Sequence, residues 1–158
     1  MRNISDVIEG YLKQIIEKND QELIEVKRSE LAEQFDCVPS QINYVIRTRF
    51  TVEKGYMVQS KRGGGGYIRI TRVTPDNHLQ LYDQLIDLSG DEISQTAAMH
   101  LIGRLLEEEA ITKREANLME SVMNREVLSI RLPYRDRLRA ELLKAMLTTL
   151  KYKELEDS

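Results

Sequence analysis

Residues 29–49 read S-E-L-A-E-Q-F-D-C-V-P-S-Q-I-N-Y-V-I-R-T-R, and this stretch decides the fold of the first half of the chain. Ser29 is a candidate N-cap for a short helix with apolar residues on one side, and the sequence D-C-V-P ends that helix. Pro39, whose fixed φ suits the first turn of a helix, begins the next one. The spacing therefore predicts two helices joined by a tight turn.

The second of these helices carries polar side chains at its N-terminal end. In a helix-turn-helix, the second helix enters the major groove of DNA by its N-terminal residues, where Gln and Asn pair with adenine and Arg pairs with guanine. A plain surface helix with solvated polar residues is the alternative interpretation of the same pattern. The residues of this outer face are Ser40, Gln41, Asn43, Tyr44 and Arg47.

Two regular elements are predicted before this pair of helices. Residues 4–18 have apolar side chains at the i, i+3, i+4 spacing of an amphipathic helix. The sequence L-I-E-V, residues 23–26, is a short candidate strand. The helix-turn-helix is thus preceded by a longer helix and a strand.

Residues 60–70, S-K-R-G-G-G-G-Y-I-R-I, place four glycines between a Lys-Arg pair and a segment with the alternation of a half-buried strand. A hairpin directly after a helix-turn-helix is the wing that reaches the adjacent minor groove of DNA. Ordering each glycine costs roughly 0.5–1 kcal/mol more than ordering alanine, so the run does not add stability. We infer that it lets the backbone approach DNA closely, with a flexible linker or a long hairpin tip as the other interpretation.

The DNA contacts predicted from these features combine base readers and phosphate contacts. Lys61 and Arg62 meet the phosphates or the groove floor, and Arg28 and Arg49 mainly hold phosphates. The phosphate-binding loop of a nucleotide enzyme would need G-x-x-x-x-G-K-[ST] followed by a helix, and this sequence predicts neither. The complete predicted set is Arg28, Ser40, Gln41, Asn43, Tyr44, Arg47, Arg49, Lys61, Arg62, Gly63, Gly64, Gly65 and Gly66.

The charge distribution supports a nucleic-acid partner for the first half of the chain. The 158 residues carry a net charge of −3, which by itself argues against such a partner. Residues 41–72, however, contain seven basic residues and one acidic residue, whereas residues 73–158 contain 11 basic and 16 acidic residues. We therefore expect a basic, DNA-facing first half and a separate second half with another task.

Composition excludes several other classes of protein. No apolar run approaches the ~18 residues of a membrane span, and the N-terminus lacks the apolar core of a signal peptide, so we expect a cytoplasmic protein. A single cysteine permits no intrachain disulfide, and two histidines give no zinc-ligand spacing. We expect no metal and no cofactor.

The second half of the chain has helical periodicity throughout. Turn residues cluster at T-P-D-N, residues 74–77, where the charge balance also changes sign. Four amphipathic helices are predicted beyond it; Thr112 and Glu115 form a capping box that opens the third, and Pro133 begins the fourth. The predicted fold is an α+β winged helix-turn-helix domain with a two-stranded β-wing, followed by an all-α dimerisation domain. The predicted bounds are 1–74 for the winged domain, 75–77 for a linker, 78–153 for the helical domain and 154–158 for an acidic tail.

The last predicted helix has an apolar face wider than one short helical hairpin can bury. We expect this face to pair with a second copy of the chain, giving a homodimer. A small-ligand pocket lined by the Met and Leu stripes is the alternative. The predicted dimer contacts are Leu138, Leu142, Leu143, Met146 and Leu150.

Three motifs resemble one known family. They are E-V-K-R-S-E-L-A-E-Q-F-D-C-V-P-S-Q-I-N-Y-V-I, S-K-R-G-G-G-G-Y-I-R-I and L-R-A-E-L-L-K-A-M-L-T-T-L-K. Together they look like the class III stress gene repressor family of Gram-positive bacteria, CtsR. The first two motifs are specific, because a helix-turn-helix and a tetraglycine wing occur at this spacing in hardly any other family. The resemblance extends from residue 3 to about residue 153.

The resemblance implies a homodimeric repressor of Clp protease and chaperone genes. Such a repressor binds tandem direct repeats in double-stranded promoter DNA and leaves them on heating. The family's wing arginine, matched here by Arg62, is linked to heat sensing and to phosphorylation by a protein arginine kinase, and Gly64 lies in the heat-sensing wing. The phosphorylated repressor is degraded by a Clp ATPase and protease. Direct repeats also imply a flexible hinge near residues 74–77.

Two other classes of function compete with a DNA-binding repressor. A winged-helix adaptor that binds protein would favour an apolar exposed face, and the face between Ser40 and Arg47 is polar. An enzyme would need a catalytic constellation, and the sequence offers none. We therefore expect a repressor and not an enzyme, with the adaptor as the alternative.

Overall fold

The computed structural model describes residues 3–61 and 66–157. The chain divides into two compact units, Met1–Thr74 and Pro75–Ser158. The first unit combines three helices with three strands. In chain order these are α1 (Ile4–Lys18), β1 (Leu23–Lys27), α2 (Arg28–Gln34), α3 (Pro39–Arg49), β2 (Tyr56–Lys61) and β3 (Tyr67–Arg72).

Helix α1 forms one side of the core of the first unit. Its apolar residues Ile8, Leu12 and Ile16 are buried and pack with α3, as the spacing predicted. The side chain of Asn3 caps the helix by accepting a hydrogen bond of 2.9 Å from the backbone N–H of Asp6. The predicted helix over residues 4–18 is confirmed.

The two predicted helices joined by a tight turn are α2 and α3. Pro39 occupies the first turn of α3, as predicted. The prediction that Ser29 caps α2 is wrong, because strand β1 runs directly into the helix, which begins at Arg28 without a side-chain cap. Between the helices Asp36 adopts φ +52°, a left-handed conformation that Asp tolerates better than most residues.

The sheet of the first unit has three antiparallel strands in the order β1-β3-β2. The predicted hairpin is confirmed as β2 and β3, and β1 joins it on the far side of β3. Val26 of β1 lies opposite Ile68, and Ile24 lies opposite Ile70. Both Ile68 and Ile70 are fully buried, so the predicted alternation fixes this register by placing apolar residues on one face.

All the regular elements in the described part of the second unit are helices. The capping box that opens its third helix is confirmed, since Thr112 and Glu115 each accept a bond from the other's backbone N–H. The last helix begins directly after Pro133 and continues through residues 154–157, which were predicted as an acidic tail. The helices are α4 (His78–Ser89), α5 (Gln95–Glu107), α6 (Lys113–Met123) and α7 (Tyr134–Asp157).

The core of the helical unit contains a charged residue that the sequence did not indicate. Arg139 of α7 is only 1% exposed. Its Nε donates to the carbonyl oxygen of Met123 at 2.8 Å, and its Nη1 donates to the carbonyl oxygen of Ile93 at 3.0 Å. Nη1 also donates to Oδ1 of Asp136 at 2.6 Å. These bonds compensate for taking the guanidinium out of water and tie α7 to the segment before α5 and to the last residue of α6.

Candidate nucleic-acid interface

Helix α3 is held by one face and exposed on the other. Ile42, Val45 and Ile46 are buried in the core of the first unit. On the opposite face, four of the predicted DNA contacts are exposed to solvent. They are Ser40, Asn43, Tyr44 and Arg47. The helix therefore presents donors, acceptors and a cation from a rigidly anchored element, which suits recognition of base edges.

Gln41, also predicted to read bases, has a second task within the unit. Its Nε2 donates to Oγ of Ser5 in α1 at 2.7 Å, and Ser5 is only 5% exposed. This bond fixes the N-terminal turn of α3 against α1. A Gln amide carries two N–H donors and a carbonyl oxygen, so one donor and the oxygen are left for a ligand.

Arg28 lies at the junction of α2, α3 and β2. Its Nε donates to Oδ1 of Asn43, and its Nη2 donates to Oγ of Ser60 at 3.2 Å. A crevice of about 330 Å³ opens here, and Arg28, Asn43 and Arg47 contribute its polar lining. The predicted phosphate contact Arg28 and the predicted base reader Asn43 thus belong to one hydrogen-bonded group.

Arg49, predicted to hold a phosphate, is engaged by two carboxylates of α1. Its Nη1 donates to Glu9 at 2.7 Å and to Asp6 at 3.1 Å. Burial acts to lower the pKa of Arg49, but the bonds and charges of Glu9 and Asp6 outweigh it, and the pKa is raised. In Glu9 burial acts to raise the pKa, but Lys13 and Arg49 outweigh it, and the pKa is lowered. Arg49 therefore pins α3 to α1, and a phosphate would have to compete with these carboxylates.

The wing is described on both sides of its tip. The predicted contacts Arg62, Gly63, Gly64 and Gly65 and the side chain of Lys61 lie outside the described residues. Gly66 has φ +74°, a left-handed conformation that a side chain would strain. Behind it, Arg69 of β3 pairs with Glu25 of β1 at 2.8 Å, and Lys27 lies over the ring of Tyr67 at 5.0 Å.

The structure brings Arg28, Asn43 and Arg47 together and turns Arg49 toward α1. The sequence did not indicate a role for Ser5 or Ser60, each of which accepts a hydrogen bond from a predicted DNA contact. No local signal marks either serine, because the bonded partners are 36 and 32 residues apart in the chain.

The predicted dimer contacts of α7 differ in their burial. Leu143 is fully buried in the core of its own unit, so its expected place on a pairing surface is wrong. Met146 and Leu150 line a groove of about 350 Å³ between α6 and α7. Leu118, on the α6 side of this groove, is 63% exposed. Leu142 packs against the core, and Leu138 is half-buried.

The described residues contain neither a candidate metal site nor a candidate membrane span. Within residues 3–61 and 66–157, no group of three or more His, Cys, Asp or Glu side chains could hold a metal ion. In the same described part of the chain, no helix has the length and apolar character that crossing a membrane requires.

The chain matches two family models. Residues 3–74 match the CtsR N-terminal HTH domain, and residues 77–148 match the CtsR C-terminal dimerization domain. The matches lie on either side of residues 75–76, and the boundary between the two compact units falls between residues 74 and 75 of the chain.

Relatives and a solved structure agree with the family models. The chain is 61% identical to the transcriptional regulator CtsR of Geobacillus stearothermophilus, over 97% of this chain and 100% of that protein. It is 56% identical to the transcriptional regulator CtsR of Bacillus subtilis, over 96% and 98% of the two chains. It also resembles a crystal structure of CtsR in complex with a 26bp DNA duplex, with a TM-score of 0.91, 61% identity and coverage of 95% of this chain and 99% of that chain. The chain therefore belongs to the CtsR family, whose members are transcriptional regulators and not enzymes.

Proposed function

We propose that this protein is a homodimeric repressor that binds double-stranded promoter DNA through its first unit. The observation that carries the proposal is the exposed polar face of α3 beside the hairpin formed by β2 and β3. A helix of this kind enters the major groove, and a hairpin beside it reaches the minor groove. The likeness to a protein solved with a DNA duplex supports the same role. Access to promoter DNA places the repressor in the cytoplasm.

The exposed side chains of α3 suit direct readout of bases. An amide such as that of Asn43 pairs with the N7 and N6 atoms of adenine, and the guanidinium of Arg47 pairs with guanine or holds a phosphate. Ser40 and Tyr44 supply hydroxyl groups at the same exposed face. Because the ion pairs of Arg49 already satisfy much of its charge, Arg47 carries more of the DNA contact than Arg49 does.

The glycine-rich wing is the proposed thermal switch. Ordering Gly63, Gly64, Gly65 and Gly66 on DNA costs more entropy than ordering four alanines, by roughly 2–4 kcal/mol in total. An entropic cost grows on heating, whereas the electrostatic contact of Arg62 does not grow to match it. Affinity for the operator therefore falls steeply as temperature rises, and the genes released are those of the Clp protease and chaperone system.

Phosphorylation of Arg62 by a protein arginine kinase is the proposed second switch. A phosphate on the guanidinium replaces a cation with an anion that faces the DNA backbone, so attraction becomes repulsion. The released and modified repressor is then a substrate for a Clp ATPase and protease.

Binding to promoter fragments, measured across salt concentration and temperature, tests the DNA-binding proposal. We expect tight binding to Clp promoter DNA, with log K falling by about 0.9 per phosphate neutralised for each unit of log salt. Equal affinity for promoter and random DNA would refute the sequence-specific repressor. Absence of any DNA binding, together with binding to a protein partner, would favour the adaptor.

The two switches are tested with wing variants on the same fragments. Wild type, Gly64→Pro, Arg62→Lys and Arg62→Ala are compared from cold to heat-shock temperature. We expect Arg62→Ala to bind weakly even in the cold and Arg62→Lys to retain part of the affinity. Parallel loss of all four complexes on heating would contradict a thermal role of the glycines.

The groove between α6 and α7 is the proposed dimer surface. It is lined mainly by apolar side chains, including Met146 and Leu150, and the adjoining Leu118 is largely exposed. Exposed apolar surface of this kind is characteristic of protein interfaces. A second copy of the chain would cover it.

A matched pair of variants tests this surface by sedimentation. Leu118→Asp places a charge in the proposed interface, and we expect it to give monomers at micromolar concentration. Val127→Asp is the control, because Val127 is also 63% exposed but lies outside the groove. A dimer that survives Leu118→Asp and is split by Val127→Asp would move the interface to the connection between α6 and α7.

A further inference from the structure

The guanidinium of Arg28 joins the exposed face of α3 to the wing strand β2. It donates from Nε to Oδ1 of Asn43 and from Nη2 to Oγ of Ser60. We propose that Arg28 is a positioning residue that sets the orientation of the Asn43 amide for reading a base. This inference rests on the proposed function, and it gives Arg28 a task other than holding a phosphate.

Hydrogen-bond chemistry determines which edge of the Asn43 amide faces outward. A guanidinium has only N–H donors, so the amide atom that it meets must be the carbonyl oxygen. Nδ2 then points away from Arg28, and within residues 3–61 and 66–157 it has no hydrogen-bond partner. Oδ1 keeps a second lone pair. The exposed amide therefore presents one acceptor and one donor in a fixed order.

That order matches adenine in the major groove. Adenine offers an acceptor at N7 and a donor at N6, and an oriented Asn amide can satisfy both at once. Without Arg28 the amide rotates freely, and its oxygen and nitrogen exchange places. A rotating amide can hydrogen-bond to other bases almost as well, so discrimination between bases falls while general attraction to DNA remains.

Ser60 steadies Arg28 from the other side. With its side chain held at both Asn43 and Ser60, Arg28 has fewer rotamers open to it than a free surface arginine. One side chain thus links the first turn of α2, the middle of α3 and the second half of β2. Through this link, the position of strand β2 affects the orientation of the Asn43 amide.

A phosphate contact and a positioning role predict different losses. Removing a phosphate contact weakens binding to every sequence and flattens the salt dependence. Removing a positioning residue erases the preference at the base pair that its partner reads. Selection from a pool of randomised DNA duplexes measures the preference at each base pair and does not require a known operator.

The selection uses the full-length wild type, Asn43→Ala, Arg28→Ala, Arg28→Lys and Ser60→Ala. We expect Asn43→Ala to lose roughly tenfold to a hundredfold preference for adenine at one base pair in each half-site. Arg28→Ala should lose the preference at the same base pair. Arg28→Lys keeps the charge but not the planar fork, so it should keep general affinity for DNA and still lose the preference. Ser60→Ala, at an exposed position that does not threaten folding, should give a partial loss at that base pair.

Arg69→Ala serves as the matched control, because Arg69 is held by Glu25 within the sheet and should leave every positional preference in place. Uniform loss of affinity in Arg28→Ala with all preferences intact would overturn the inference, and so would recovery of the preference in Arg28→Lys. An unchanged preference in Ser60→Ala would overturn it as well. If the wild type itself enriches no sequence, it is the proposed DNA-binding function that fails, which separates the two outcomes.

Discussion

Arginine performs opposite tasks in the two units. In the helical unit Arg139 is 1% exposed, and carbonyl oxygens and Asp136 surround it. In the winged unit Arg47 is exposed, and within the described residues it has no hydrogen-bond partner. The first cation stabilises its own chain, whereas the second is available to an external anion.

The difference follows from what surrounds each side chain. A buried guanidinium must be satisfied by internal acceptors, so its charge is not available to a ligand. An exposed guanidinium keeps its hydration until a phosphate or a base replaces the water. Local net charge alone does not distinguish the two arginines. Their burial and their hydrogen-bond partners do. Arg49, half-buried and paired with two carboxylates, lies between the two extremes.

The largest expected effect is on the folding of the helical unit. Arg139→Met keeps much of the side-chain volume but leaves two carbonyl oxygens and the carboxylate of Asp136 without their donor. Breaking a buried pair in this way costs about 3–5 kcal/mol. We expect a corresponding loss of unfolding free energy in chemical denaturation of the full chain.

Arg137→Met is the matched control for this prediction. Arg137 is two residues away on α7, its side chain is 56% exposed, and it pairs with Glu92 at 3.0 Å. Exposed pairs contribute about 0–1 kcal/mol, so this variant should unfold almost as the wild type does. Equal losses in the two variants would break the distinction between buried and exposed arginines.

A second comparison between a buried and an exposed side chain concerns the stability of the fold at alkaline pH. The buried side chain is Tyr82. Burial, with the charges of Glu154 and Glu115, raises the pKa of Tyr82 to about 12. Because the folded pKa lies above the unfolded value of about 10, the folded state keeps this proton longer than the unfolded state does. The contribution of Tyr82 to stability is complete below pH 10 and is lost as the pH rises toward 12.

Tyr82→Phe should therefore flatten the fall in unfolding free energy between pH 9 and pH 11, where the wild type loses roughly 1 kcal/mol through this group. Tyr44→Phe, which removes a hydroxyl from a 45% exposed side chain of α3, should leave that fall in place. Denaturation series at several pH values measure both. An identical alkaline slope in wild type and Tyr82→Phe would contradict the assignment.

Local signals made most of the fold predictable. Pro39 marks the start of α3, the Thr112 and Glu115 pair marks the start of α6, and alternation at Ile68 and Ile70 marks a strand. Each signal acts within a few residues and depends little on the rest of the chain. The prediction failed at Ser29, where a strand runs into a helix and leaves no turn to cap.

Long-range contacts account for what the sequence did not predict. Arg139 stands in a segment of alternating arginines that looks like a solvated helix face, and only packing against distant segments shows that it is buried. Arg28 and Arg49 were both predicted to hold phosphates. Their partners, Asn43 and Ser60 for one and the carboxylates of α1 for the other, give them different environments.

The smallest expected effects compare Arg47 and Arg49, which lie two residues apart on α3. Arg47→Ala should weaken DNA binding while leaving the unfolding free energy within about 0.5 kcal/mol of wild type, because the side chain is exposed. Arg49→Ala removes ion pairs to Asp6 and Glu9, and we expect it to cost roughly 0.5–1 kcal/mol of stability at neutral pH with a smaller effect on DNA binding.

The effect of Arg49→Ala on stability should also depend on pH. The pKa of Glu9 is lowered in the folded state, so its contribution is present above the unfolded value and is lost as the pH falls through the folded pKa. Wild type and Arg49→Ala should therefore differ at pH 7 and converge at low pH, whereas wild type and Arg47→Ala should agree throughout. Denaturation at pH 7 and at low pH measures the stability of each variant, and binding to promoter DNA measures its effect on recognition. If Arg49→Ala impairs DNA binding as strongly as Arg47→Ala and leaves stability unchanged, the carboxylates of α1 do not hold Arg49 in solution, and both arginines face the DNA.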